Sequence, residues 1–163
     1  MDVVAIDPAA SRYAYAIFHD GELIQCGYEY KAAALSRVID PNRVYVWVLE
    51  VPRNYGRFAV AHKDLDRLRR VLKKIKSNAV RPQDKVVHFA PSAWKGNVPK
   101  KIHHKRLWEI LTEQEKRRLP DQPGTLDYAH DIHDAVALGA TYLERMGRGG
   151  KKRRTTHAKR LDS

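Results

Sequence analysis

The chain has 163 residues, 43% of them hydrophobic, and a single cysteine. That suits one soluble domain with a sizeable core and excludes a disulfide scaffold; no apolar run approaches the ~18 residues of a membrane span, and the N-terminus lacks the basic leader of a signal peptide. The formal net charge of +12 points to a polyanion, most often nucleic acid, and half of that excess, +6, lies outside the basic stretch 147–163.

Val3–Ile6 is a short apolar run that reads as a buried strand ending at Asp7, with Pro8 stopping it. Arg12–His19 alternates as a second strand, with Tyr13, Tyr15 and Ile17 on one face and Ala14, Ala16 and Phe18 on the other. Asp20-Gly21 is a two-residue hairpin signal, so Glu22–Tyr30 is expected as an antiparallel third strand. Lys31–Ile39 has room for a short helix before the turn Asp40-Pro41-Asn42. Val44–Leu49 is a second buried run; it ends at Glu50, and Pro52 follows. Strands buried on both faces and joined by long connections read as parallel neighbours. Asp7 and Glu50 would then stand roughly 5 Å apart at one edge of a sheet, where sites form in open α/β folds.

Phe58 to Asn78 reads as a long helix, with Phe58, Ala61, Leu65, Leu68, Leu72, Ile75 and Ala79 at three- and four-residue steps. It is either packed on the sheet with solvated charges or also part of a dimer interface. Val86–Ala90 is expected as a fifth strand, Pro91–Asn97 as a polar loop and Lys100–Leu119 as a helix crowded with bases. After the loop Pro120–Thr125, Thr125 or Asp127 is placed to cap a last helix running to Met146. Residues 1–146 thus read as one domain and 147–163 as a basic flexible tail. Trp47, Trp94 and Trp108 read as core; His103 and His104 read as phosphate-facing or plain surface.

His130–Ala140 reads as a helix start that is apolar nearly all round. Asp131 and Asp134 share one face of it. Alone, the pair is divided between favouring a helix N-terminus and binding a metal. With Asp7 and Glu50 it makes four carboxylates where buried elements end, in a net-basic chain. Left to themselves they would repel one another and their pKa values would rise. Divalent cations relieve that, and all-oxygen ligands select Mg²⁺ or Mn²⁺. Two such ions about 4 Å apart suit an in-line displacement at phosphorus. His133, between the two acids, reads as packed or as an added ligand.

Ile6-Asp7-Pro8, Leu49-Glu50, Ala90-Pro91-Ser92-Ala93-Trp94-Lys95-Gly96 and Asp131-Ile132-His133-Asp134-Ala135-Val136-Ala137 together resemble a RuvC-type Holliday-junction resolvase of the RNase H-like superfamily, a compact phage or bacterial member, over residues 1–146. The last segment is the most specific; Ala9 stands where the family usually has glycine. The resemblance implies an α/β, RNase H-like fold with a mixed five-stranded sheet in the order 3-2-1-4-5, flanked by helices. It implies a cytoplasmic homodimer, in a bacterium or a phage-infected host, that cuts opposed strands of a four-way DNA junction. Asp7, Glu50, Asp131 and Asp134 carry over as a catalytic quartet for two Mg²⁺ per site, with Mn²⁺ as substitute. Arg53, Tyr55, Arg57 and Phe58 carry over as residues at the junction centre, although Tyr55 also reads as a plain loop residue and Phe58 as a core anchor. Lys95 carries over as a phosphate contact, with Lys100, Lys101 or Lys105 as its partner.

Two other readings share the charge and the fold. One is an RNase H-like nuclease with a different nucleic-acid substrate; ribonuclease H itself has its second carboxylate on a helix, whereas Glu50 closes a strand. The other is a branched-DNA binding protein that does not cleave, which Mg²⁺ dependence would tell apart. A basic coat protein would leave acids at buried strand ends unexplained.

Overall fold

Val3, Val4, Ala5 and Ile6 are completely buried, so the strand they form needs neighbours on both edges and cover on both faces. In the computed structural model, which describes residues 1–9, 11–51, 62–96, 98–120 and 127–147, both are present. The strands are β1 (Asp2–Pro8), β2 (Tyr13–His19), β3 (Glu22–Glu29), β4 (Tyr45–Glu50) and β5 (Lys85–Phe89). They form one sheet in the order β3-β2-β1-β4-β5, as the resemblance implies. The β1–β2 and β2–β3 pairs are antiparallel, and β1–β4 and β4–β5 are parallel. Asp20 and Gly21 both take positive φ, 48° and 87°, as a tight hairpin turn requires.

Side chains alternate across the sheet into two cores. On one face Val3, Ala5, Ala14, Ala16, Phe18 and Val48 meet the long helix α6 (Asp127–Arg145). On the other, Val4, Ile6, Tyr15, Ile17, Trp47 and Leu49 meet Leu72, Ile75 and Ala79, on and just after α2 (His62–Asn78). The small residues of β1 and β2 lie under α6, so that helix comes close. The outward side of α2 carries exposed Arg67, Arg69, Arg70, Lys73 and Lys74.

Several expected boundaries move. β1 runs one residue past Asp7 to include Pro8, and β5 begins and ends one residue earlier than expected. The segment Lys31–Ile39 divides into a 3-10 turn, Ala32–Ala34, and the one-turn α1 (Leu35–Val38). Pro91–Asn97 was expected as a loop, but Pro91–Trp94 forms a helical turn, α3, with proline at its first position, where the missing N–H costs nothing. Lys100–Leu119 is not one helix. It breaks at Leu111 into α4 (Lys100–Ile110) and α5 (Glu113–Lys116), because Thr112 turns extended and forms a reciprocal capping box with Glu115. Glu115 Oε1 also accepts from the Leu23 N–H at 2.8 Å, which pins α5 to β3. The expected start of the Phe58–Asn78 helix before His62, the loop residues 121–126 and the tail beyond 147 lie outside the described residues.

Asp84 locks the parallel half of the sheet. Its enclosed carboxylate accepts from the Tyr45 N–H at 3.0 Å, the Trp47 indole at 3.1 Å and Arg81 through both backbone and guanidinium. Burial by itself pushes this carboxyl up, but the donors from Arg81, Tyr45 and Trp47 outweigh it and hold it below the usual range. Its contribution to stability is therefore present at neutral pH and lost as pH falls through the depressed value. Asp84→Ala leaves enclosed donors unpaired and destabilises by about 3 kcal/mol at pH 7. Denaturant unfolding checks this, and the gap between the two proteins narrows below about pH 4.

Candidate active site

Asp7, near the end of β1, and Glu50, the last residue of β4, stand side by side because the parallel register pairs Ile6 with Leu49. Asp131 and Asp134 reach the same edge from α6. That helix begins at Asp127, so both acids lie inside it, a full turn or more past its start; the N-terminal dipole does not account for them. Asp7 and Glu50 are each 8% exposed and Asp134 is 2% exposed.

Four acids at one edge, three of them buried and Asp131 partly exposed, require positive partners. Lys95, just after α3, lies between two of them, with its Nζ 3.5 Å from Glu50 Oε2 and 3.1 Å from Asp134 Oδ2. Lys100 Nζ is also 3.1 Å from Asp134 Oδ2. Arg12 pairs with Asp131 at 3.2 Å. Two rings complete the set: the Trp94 indole donates to Glu50 Oε2 at 2.7 Å, and His104 Nε2 donates to Asp134 Oδ1 at 2.8 Å.

The protonation balance follows from this arrangement. Burial pushes Asp7 well above the usual carboxylate range, and repulsion from Glu50, Asp134 and Asp131 adds to it, with Lys95 opposing. Glu50 is raised by burial, against the pull of Lys95 and the indole. At Asp134 burial acts the same way but loses to His104, Lys95 and Lys100, so its carboxyl is held well below the usual range. Burial works against the Lys95 ammonium, yet Glu50, Asp134 and Asp7 raise its pKa.

The donor set fits a hard divalent cation. It is all oxygen, and four carboxylates meet only three cationic side chains among the described residues, Lys95, Lys100 and Arg12. Among the described residues no three His, Cys, Asp or Glu side chains are grouped around one ion position; the carboxylates are turned onto Lys95, Lys100 and Arg12 instead. Asp7, Glu50, Asp131 and Asp134 are the residues that would hold an ion.

Other expected residues fall in different places. Lys100 is the lysine that joins Lys95 at Asp134. Lys101 and Lys105 are exposed one turn along α4, on the rim of a cavity of about 870 Å³ lined also by Trp108 and His130. Arg53, Tyr55, Arg57 and Phe58 lie outside the described residues. His104 is not a surface residue: it is 6% exposed, because its hydrogen-bond partner Asp134 is buried. His133 is packed, 1% exposed, with Nδ1 donating to the Ala129 carbonyl at 2.6 Å. Trp47 is core, Trp108 is half-buried, and Trp94 is buried but spends its N–H on Glu50. Sequence reading missed the roles of Trp94, His104 and Arg12. The only available signal was that Trp94 adjoins Lys95; Arg12 and Asp131 are 119 residues apart.

No protein-family model matches this chain, and no curated protein matches it in sequence. Solved structures do match it. Fowlpox virus resolvase, in a complex with substrate Holliday junction DNA, is 20% identical, covers 90% of this chain and 99% of its own, and superposes with a TM-score of 0.60. Thermus thermophilus RuvC is 17% identical over 91% of this chain and 98% of its own, with a TM-score of 0.54. The yeast mitochondrial Holliday junction resolvase is 12% identical over 90% and 79%, with a TM-score of 0.56. The chain therefore has the RNase H-like fold found in RuvC and in these resolvases. No helix among the described residues is long and apolar enough to cross a membrane.

Proposed function

We propose that this chain is a structure-selective endonuclease that resolves four-way DNA junctions as a homodimer, by paired, metal-dependent nicks. The observation that carries the reading is the convergence of Asp7, Glu50, Asp131 and Asp134 at one sheet edge, where burial and mutual repulsion raise Asp7 and Glu50. The net charge of +12 suits a DNA partner. The fowlpox resolvase and Thermus RuvC, which share the fold, were crystallised with Holliday junction DNA. A twofold protein matches a junction whose two cut strands are related by symmetry.

Asp7, Glu50, Asp131 and Asp134 would hold Mg²⁺ or Mn²⁺, which would supply the Lewis acidity to activate a water and offset charge on the leaving oxygen. The remaining work falls to the chain itself. Lys95 and Lys100, which the carboxylates hold at the centre, turn to the scissile phosphate when it arrives. Lys101 and Lys105, exposed along α4, contact the flanking backbone and make binding salt-dependent. Arg53, Tyr55, Arg57 and Phe58 meet the junction centre, where stacking on an unpaired base is worth roughly 1–3 kcal/mol.

The test is a labelled synthetic four-way junction beside a linear duplex of the same sequence, incubated with Mg²⁺, Mn²⁺ or chelator and resolved on a denaturing gel. Paired nicks near the crossover of the junction alone, absent with chelator, are the expected result. Binding without cutting in either metal overturns the reading in favour of a non-cleaving junction binder. Equal cutting of the duplex overturns it in favour of a nuclease with a different substrate.

A further inference from the structure

We infer that Trp94 and His104 are positioning residues that each fix one oxygen of a quartet carboxylate through a ring N–H, and so leave its other oxygen to face the cation. The inference rests on the nuclease reading above and adds to it the part of the chain that orients the ligands. Both rings are themselves buried, Trp94 at 7% and His104 at 6% exposure. The indole N–H can only donate, and it donates to Glu50 Oε2 at 2.7 Å. Among the described residues, no hydrogen bond reaches Glu50 Oε1. His104 Nε2 takes Asp134 Oδ1 at 2.8 Å, while Oδ2 of the same carboxylate faces the ammonium groups of Lys95 and Lys100, each at 3.1 Å. In both acids a ring holds one oxygen; in Glu50 Lys95 Nζ shares that oxygen at 3.5 Å, and in Asp134 the other oxygen is held by cations alone.

The two kinds of partner differ in stiffness. A lysine swings on a four-carbon stem and can leave for a phosphate. The rings cannot leave. Trp94 closes the one-turn α3, whose end is held by the Lys95 N–H on the Pro91 carbonyl at 2.9 Å. The edge of His103 packs on its ring at 5.1 Å, and Lys95 Nζ lies 4.6 Å from the ring centroid. The indole thus steadies Glu50 with its edge and Lys95 with its face. His104 is stacked on His130 at 5.6 Å and tilted against His133 at 5.3 Å. When Lys95 and Lys100 turn to DNA, these rings still hold Glu50 and Asp134 in the same rotamers.

Trp94→Phe removes the N–H and keeps an aromatic ring. His104→Leu removes the donor, and His104→Gln keeps an N–H at similar reach. Mn²⁺ affinity is measured by calorimetry without DNA, kcat and KM on the four-way junction, and thermal unfolding as the control on folding. Loss of an outer partner of a ligand costs about 10–100-fold in metal affinity or activity. We expect that loss in Mn²⁺ affinity and in kcat for Trp94→Phe and His104→Leu, an unchanged KM, and recovery of most of it in His104→Gln. Unmodified Mn²⁺ affinity in Trp94→Phe, or equal losses in His104→Gln and His104→Leu, overturns the inference and leaves the nuclease reading intact. If Trp94→Phe fails to fold, the His104 pair decides. No Mn²⁺ binding by the unmodified protein overturns both.

Discussion

Asp7→Asn is expected to abolish strand cutting, preserve junction binding and raise the thermal midpoint. The combination follows from what the side chain meets. Asp7 is 8% exposed, and its ionised form is opposed first by burial and then by Glu50, Asp134 and Asp131. A carboxyl whose pKa is raised on folding binds its proton more tightly in the folded state, so its ionisation at neutral pH weakens the fold. Asparagine removes that charge at nearly the same volume. The stability gain is largest at neutral pH and disappears in acid, where the parent carboxyl is itself protonated. On the proposed function the same change would take one of four carboxylate ligands from a group acting as a unit, and losses on the order of 10⁴-fold in rate follow such removals. On the proposed function DNA binding is expected to survive, because it would rest on cations elsewhere, Lys101 and Lys105 among them. A third readout is metal itself: Mg²⁺ or Mn²⁺ stabilises the parent by mass action and the variant much less. Thermal unfolding with and without metal, beside a gel-shift assay on the junction, checks all three. A variant that loses binding together with cutting, or unfolds more easily, contradicts the assignment of Asp7.

Gly139→Leu unfolds the protein or leaves it severely destabilised. At Gly139 α6 lies tight against β1 and β2. A Cβ built there would lie 2.3 Å from Phe18 Cε2 and 3.1 Å from the Ala5 Cβ. Phe18 and Ala5 are both completely buried, so neither has room to retreat. Even Gly139→Ala, which gains up to about 1 kcal/mol in helix propensity, is a net loss against an overpacking cost of about 1–3 kcal/mol. Leucine adds three more carbons to the same contact, against a total stability of about 5–15 kcal/mol for a domain. The damage extends to the site: Asp131 and Asp134 lie on the same helix and move outward with it. Phe18→Leu partly rescues Gly139→Ala, because the two share one contact and couple in a double-mutant cycle. Denaturant unfolding of the four proteins measures that coupling, and purely additive losses would count against a steric cause.

Much of the frame was legible because it rests on local rules. Alternation of Tyr13, Tyr15 and Ile17 against Ala14, Ala16 and Phe18 sorted β2 correctly into the two cores, since a strand turns its side chains over every residue. The apolar runs ending at Asp7 and Glu50 announced buried parallel strands, and Asp20-Gly21 announced its hairpin. The break at Leu111 and the helical turn at Pro91 follow from local chemistry. Thr112 with Glu115 is a capping box readable three residues apart, and Pro91 is an ordinary first residue of a helix.

The sequence by itself determined which strands are buried, the excess of positive charge and the presence of four acids beside apolar runs. Only the tertiary structure decided what neutralises and orients those acids. Trp94 and Glu50 are 44 residues apart, His104 and Asp134 are 30 apart, and Arg12 and Asp131 are 119 apart. Periodicity and capping act over one or two turns of chain, so they carry no information about which donor meets which carboxylate across such gaps. That pairing is set by where α3, α4 and α6 pack against one edge of the sheet, and a buried charge leaves the packing no choice but to bring a partner to it.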